Sequence, residues 1–354
     1  MKLAKTFLAL AFTLAPCSLA GQAAGPNDLA RFSGLTQSNA ALVYYRAWMV
    51  HHAAFEEYRR LMSDIEDPFD PKITAFLVAN QSMLQAFLRA ASIRECDWGI
   101  EYDQGFGALL PHLGNMRIIC RMLQHDALRL ASQDRMDEAA ERAAAIFAIS
   151  THMANDRVMI SALVSAAIIS LGNSTVESIL AAGVLTPAAK DHLLQGFARL
   201  NLADPAAFLP AVRGEAEFLA GWFKPKYASL GGGIRFLREI MPLASPAEIT
   251  RSEYMQFALS GPDALADEID RAARLVAQMA EAWRTPDGLT VIRHYTSEVE
   301  QGKHGLVAKV LVPALDRAFE TESVLRAELD RVINIVERTP VQHSTEKDQQ
   351  ASDR

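Results

Sequence analysis

The sequence predicts an all-α fold, an irregular bundle or short solenoid of antiparallel helical hairpins. Three observations predict it. Apolar residues recur every three or four positions in segment after segment, strand-type alternation is nearly absent, and Pro, Gly, Asp and Asn gather at the breaks between segments. Half of the 354 residues are hydrophobic, enough for a sizeable core in one large or two ordinary domains.

Residues 1–20 read as an export signal, with Lys2 and Lys5 ahead of an apolar run from Phe7 to Ala15 and a small-x-small cleavage site at Ser18-Leu19-Ala20. The run is shorter than the roughly 20 residues that span a bilayer, so removal is expected, with the mature chain starting near Gly21. The rival reading is a lipid anchor on Cys17, which Pro16 fits badly.

The first mature helix is expected over 39–62, with Leu42, Tyr45, Trp48/Met49, His52 and Phe55 on its buried face. Asp67-Pro68-Phe69-Asp70-Pro71 breaks the chain, Asp70 being placed to cap the next helix and Pro71 to open it. That helix runs to Ala91 through Ile73, Phe76/Leu77, Met83/Leu84 and Phe87/Leu88, giving an antiparallel hairpin. Helices at Pro111–Ala131 and Asp137–His152 follow, separated by the polar turn Ser132-Gln133-Asp134-Arg135. Val158–Leu171 is expected to be a buried central helix whose Ser161, Ser165 and Ser170 bond back to the preceding turn.

Thr186-Pro187 opens a helix to Leu200, and Asp204-Pro205 another to Trp222. Between 224 and 262, Gly and Pro punctuate the chain, which reads as a lid, hinge or insertion with the triple glycine 231–233 as the hinge. Amphipathic helices resume over 263–284 and 306–338, the second interrupted at Pro313, and 339–354 is expected to be a disordered tail. The division drawn from this pattern is a helical-hairpin module over 27–200 and a second helical module over 201–338.

Leu123, Ala127, Ala139 and Ile146 lie at large and small positions that resemble a tetratricopeptide-type hairpin, although the repeat's usual Trp, Gly and Tyr are missing. A second resemblance rests on Asn39-Ala40-Ala41-Leu42 before Tyr44/Tyr45, Cys96-Asp97-Trp98, and Leu109-Leu110-Pro111-His112-Leu113 ahead of Arg117. Over roughly 35–180 the chain resembles a family of exported, all-helical bacterial proteins known chiefly from genome sequences. The resemblance implies a helical, exported protein and carries no catalytic residue over; its signature residues here are Cys96, Asp97, Trp98, Leu110, Pro111 and His112.

Residues 95–113 concentrate acids, glycines, aromatics and a histidine. Asp97, Glu101, Asp103 and His112 are the candidates for an oxygen-rich metal site or a general acid/base pair, but their spacing matches neither an EF-hand loop nor a His-Glu-x-x-His site. The competing reading is a structural elbow, in which Gly99, Gly105 and Gly107 make turns, Trp98, Tyr102 and Phe106 plug a gap between helix pairs, and Pro111 starts a helix. His52 and Glu56 share a helical face beside His51, a spacing that suits a metal or an ordinary i,i+4 pair. His125-Asp126 and His152 are further candidates if their helices converge.

Cys96 and Cys120 either pair in an oxidising compartment or remain free, Cys120 as a small core side chain. The net charge of −7, widened by loss of Lys2 and Lys5, argues against nucleic acid as the partner. No nucleotide, cofactor or serine-hydrolase motif is present, and none is expected to be needed. The expectation is therefore an exported, non-enzymatic helical scaffold or binding protein of the cell envelope, whose partner is a protein, peptide or envelope component. The alternatives are an envelope hydrolase or lyase working at 97–112, and a purely structural, oligomerising role.

Overall fold

The computed structural model describes residues 38–65, 67–240, 250–312 and 314–341, which fall within one compact unit. Residues 1–37, where the expected export signal and Cys17 fall, Pro313 and the residues beyond Val341 lie outside the described residues. The fold is all-α, and β-pairing among the described residues amounts to one parallel bridge between Leu185 and Val341.

The first hairpin contains four helices rather than two. α1 (Ala40–Val50) and α2 (His52–Asp64) form its first arm, α3 (Pro71–Ala79) and α4 (Gln81–Ser92) its second. Asp70 accepts from the backbone N–H of Lys72 at 2.7 Å with Pro71 at the first helical position, as the local chemistry requires. α1 packs on α4 and α2 on α3, so the breaks at His51 (φ −107°, ψ 23°) and Asn80 (φ −111°, ψ 29°) face each other across the hairpin. The buried face of α1 is Ala40, Ala41, Tyr44 and Ala47, while Leu42 and Met49 are exposed at 57% and 70%. The expected face is thus displaced by one position: small side chains bring α1 close to α4, and the larger apolar ones are turned out. His52, on the expected inner face, is exposed.

After the elbow come α5 (Pro111–Ala131), α6 (Met136–Ala154), α7 (Met159–Ala182) and α8 (Pro187–Phe197). Leu123, Ala127, Ala139 and Ile146 are fully buried where α5 and α6 meet. α7 extends eleven residues past Leu171 and is long and apolar enough to cross a membrane, yet 67% of its apolar window is buried in the protein. It is the central helix, packing on α5, α6, α9 and α16. Ser161 and Ser165 do not bond back along α7. Their hydroxyls reach Asp156 and the carbonyl of Ser150, because α6 lies against this face and offers acceptors there.

Ala207 at φ +58° precedes α9 (Phe208–Phe218), and Asp204 accepts from the N–H groups of Phe208 and Leu209 at 2.8 and 3.1 Å. A π-helical turn (Leu219–Phe223), α10 (Lys224–Tyr227), α11 (Gly232–Ile240) and α12 (Arg251–Ala258) occupy the Gly/Pro-rich region, of which 241–249 lies outside the described residues. The triple glycine is a packing point rather than a hinge. Gly231 turns at φ +71°, and a Cβ on Gly232 or Gly233 would stand 1.8 Å from the Tyr227 carbonyl oxygen or 2.2 Å from that of Phe257. That close approach lets Phe223, Tyr227, Phe236 and Phe257 cluster, with ring centroids 4.8–5.5 Å apart from neighbour to neighbour.

α13 (Pro262–Ala282), α14 (Gly288–Glu300), α15 (Gly305–Leu311) and α16 (Ala314–Arg338) complete the chain. α14 was not expected. Its inward residues Ile292, Thr296 and Val299 are few, and its exposed side is long. The core has two parts, one under α1–α4 and a larger one under the C-terminal helices, and α5, α6 and α7 contribute to both. Helices on either side of position 200 therefore pack together.

Candidate functional site

The elbow is built by capping and turns. Asn39, at the start of α1, accepts from Ala41 N and from Asp97 N at 3.0 and 2.9 Å, and its amide donates to the Asp97 carbonyl at 2.9 Å. The carboxylate of Asp97 accepts from Gly99 N at 2.9 Å, with Gly99 at φ +65°. Residues Tyr102–Gly107 make a 3₁₀ turn, and the side chain of Phe106 lies outside the described residues. Pro111 opens α5 as expected.

Of the four candidate acid and histidine residues, the structure brings none together. Asp97, Glu101 and Asp103 are exposed, and Glu101 is engaged by the Gln104 amide. His112 is fully buried and points the other way, its Nε2 2.7 Å from Oδ2 of Asp156, which follows α6. No group of three or more His, Cys, Asp or Glu suited to a metal occurs among the described residues. Asp156 is the residue that sequence reasoning missed. It lies 44 positions from His112 and carries no local signal.

Asp156 is the acceptor of a closed network. Besides His112 it accepts from the Ser161 hydroxyl at 3.1 Å and from the Tyr102 hydroxyl at 3.2 Å. Trp98 stacks flat on His112 with centroids 4.6 Å apart, Tyr44 stacks on Trp98 at 5.6 Å, and Tyr45 meets Trp98 edge-on. His112 Nδ1 has no partner and is sealed beneath this stack. The order Ser161–Asp156–His112 places the serine on the carboxylate rather than on the imidazole, the reverse of what nucleophile activation needs.

His152 supports the same joint. Its Nε2 lies 2.9 Å from the Ile93 carbonyl and so carries the proton, leaving Nδ1 to accept from the Tyr44 hydroxyl at 3.1 Å. The indole of Trp98 donates to the His152 carbonyl at 3.1 Å, and Asn155 donates to the Cys96 carbonyl at 3.2 Å. Burial lowers the His152 pKa to about 4, so the imidazole is neutral. Trp222 donates to the Asp103 carbonyl at 2.9 Å, and Arg199, just beyond α8, donates to that of Ile93 at 3.0 Å. Cys96 and Cys120 are free and buried, and burial raises both thiol pKa values, which disfavours the thiolate.

The remaining titratable candidates are also separate. His125 contacts the Tyr58 hydroxyl at 3.2 Å, and burial, aided by the charge of Arg121, lowers its pKa to about 4. Asp126 binds Arg129 at 2.6 Å and the fully buried Arg142 at 3.1 Å, tying α5 to α6. Glu56 stands 3.9 Å from Arg59, and His52 lies near the Trp48 ring, so the His51, His52 and Glu56 group assembles nothing. Glu322 on α16, which accepts from the Trp283 indole, has its pKa raised to about 7 by burial and by Asp204. It is closed off as well, at 4% exposure.

Open volume occurs elsewhere. A hollow of about 450 Å³ between α2, α5 and α7 is lined by Arg59, Arg117 and Arg121 together with Met62, Ile118, Ile168 and Leu171, and no acid lines it. Gly114 lies in its wall, where an added Cβ would meet nothing within 4 Å. Arg59 is held by Asn115 at 3.3 Å, but neither Arg117 nor Arg121 has an acidic partner among the described residues. Arg117 and Arg121 stand four residues apart on α5, both exposed, where like charges repel by about 0.2–0.5 kcal/mol. A second hollow of about 550 Å³, between α7 and α16, shares the lining residue Ala167 with the first. Comparison with known proteins found no matching family model, no similar curated protein and no similar solved structure.

Proposed function

We propose that the chain is an exported, non-enzymatic helical protein that binds a component of the cell envelope in the groove formed by α2, α5, α7 and α16. One observation carries the reading: open volume and unneutralised positive charge coincide at Arg117 and Arg121. The acid- and histidine-rich elbow, by contrast, directs its buried polar groups at other parts of the protein. The sequence of residues 1–20 supports the compartment, as does the resemblance over 35–180 to exported helical proteins. A groove between stacked helical hairpins is also a common way for a helical protein to present a binding surface.

The alternative, a hydrolase or lyase at 97–112, is favoured by the 2.7 Å His112–Asp156 contact alone. It would require Trp98 to leave the imidazole face and a reacting group to reach Nδ1. Native mass spectrometry of the full chain recovered from envelope extract tests the binding reading. A stoichiometric adduct on the folded protein is the expected result. Recovery of bare protein at micromolar concentration, or turnover of an ester, amide or glycoside that His112→Gln abolishes, would contradict it.

A further inference from the structure

Building on that binding function, we propose that the groove takes a single-chain amphipathic anion, an acyl carboxylate with its head among Arg59, Arg117 and Arg121 and its tail along α7. The head-group end follows from charge. In a chain of net charge −7, the first hollow is lined by three guanidinium groups, of which only Arg59 has an acid near it, Glu56 at 3.9 Å, and the arginine fork matches a carboxylate through two parallel hydrogen bonds. The second hollow holds Glu320 and Glu328 beside Arg317, so an anion is disfavoured there.

The tail's path follows from the exposed stripe of α7. Ile160, Leu163, Ala167 and Ser170 stand three or four residues apart on one line of an otherwise buried helix, with Ile160 and Leu163 exposed at 49% and 37%. Val324 of α16, exposed at 60%, lines the same hollow. Ala167 lines both hollows and has the smallest side chain of the stripe. From Ile160 to Leu171 the helix rises about 16 Å, close to the length of an extended chain of about twelve carbons.

Isothermal titration of the full chain with monomeric dodecanoate tests the proposal, with dodecyltrimethylammonium as a cation of equal tail length and acetate as a head without a tail. Saturable one-to-one binding of dodecanoate is expected, about tenfold or more tighter than the cation, with acetate binding undetectably. Arg117→Gln and Arg121→Gln should each weaken it about tenfold, and Ala167→Trp should remove the tail's path and abolish it. All three positions are exposed, and circular dichroism of each variant verifies that the helices are intact. Equal binding of cation and anion, or unchanged affinity in both arginine variants, overturns the proposal. So does an acidic amphipathic peptide that binds in the groove and is not displaced by dodecanoate. An envelope component retained by the protein but not displaced by dodecanoate overturns the acyl-anion assignment while leaving the binding function standing.

Discussion

Asp156 does at the scale of one residue what the acids of the elbow do not. Its two carboxylate oxygens serve an imidazole and two hydroxyls at 5% exposure, so its removal strands the His112 and Ser161 donors inside the protein and frees the part-buried Tyr102 hydroxyl. Asp156→Ala is expected to cost about 3–5 kcal/mol in urea unfolding, and a loss below about 1 kcal/mol would contradict the joint. The histidines add a pH signature. His125 and His152 have pKa values of about 4 when folded and an ordinary value of 6.5, so the unfolded chain takes up their protons first as pH falls. Their contribution is complete above 6.5 and is lost as pH drops towards 4, by up to about 3 kcal/mol each. Glu322 works in the opposite sense: with its pKa raised from 4.5 to about 7, its contribution is complete below 4.5 and is lost as pH rises through 7. NMR titration should find both imidazoles neutral above pH 5; titration of either near 6.5 would mean that it is not buried.

The elements legible in the sequence were those whose ends are fixed by local chemistry. Asp70 with Pro71, Thr186 with Pro187, and Pro111 open helices where they were expected, because a capping side chain and a proline act within two or three residues of themselves. What depends on distant partners was not legible. The face of α1 is chosen by α4, the turn-out of His52 follows the break at His51, and α14 has too few inward residues to announce itself. In the same way, Arg59, Arg117 and Arg121 read as an ordinary solvated face until α2 and α5 are placed side by side. The triple glycine shows how one signal supports two structures, since a hinge and a close backbone contact both call for glycine. Gly232→Ala decides between them. Packed against Tyr227, it should lower stability by about 1–3 kcal/mol, whereas at a free hinge the same change would be neutral or stabilising by about 0.5–1 kcal/mol.

At the scale of the whole molecule, α5, α6 and α7 belong to both parts of the core, so the elbow and the groove are opposite uses of the same helices. The start of α5 and the end of α6 are locked by His112 and Asp156, while the exposed sides of α5 and α7 form the arginine-lined hollow. A rigid joint behind a preformed hollow lowers the ordering cost of binding. The central claim is that ligand binding belongs to the groove and the elbow serves only to hold it. Its most direct measurement is native mass spectrometry of the extract-loaded chain beside the Arg117→Gln/Arg121→Gln double variant. An adduct on the wild type that disappears from the folded double variant is predicted. An adduct that persists without the two arginines, or none on either protein, would contradict it.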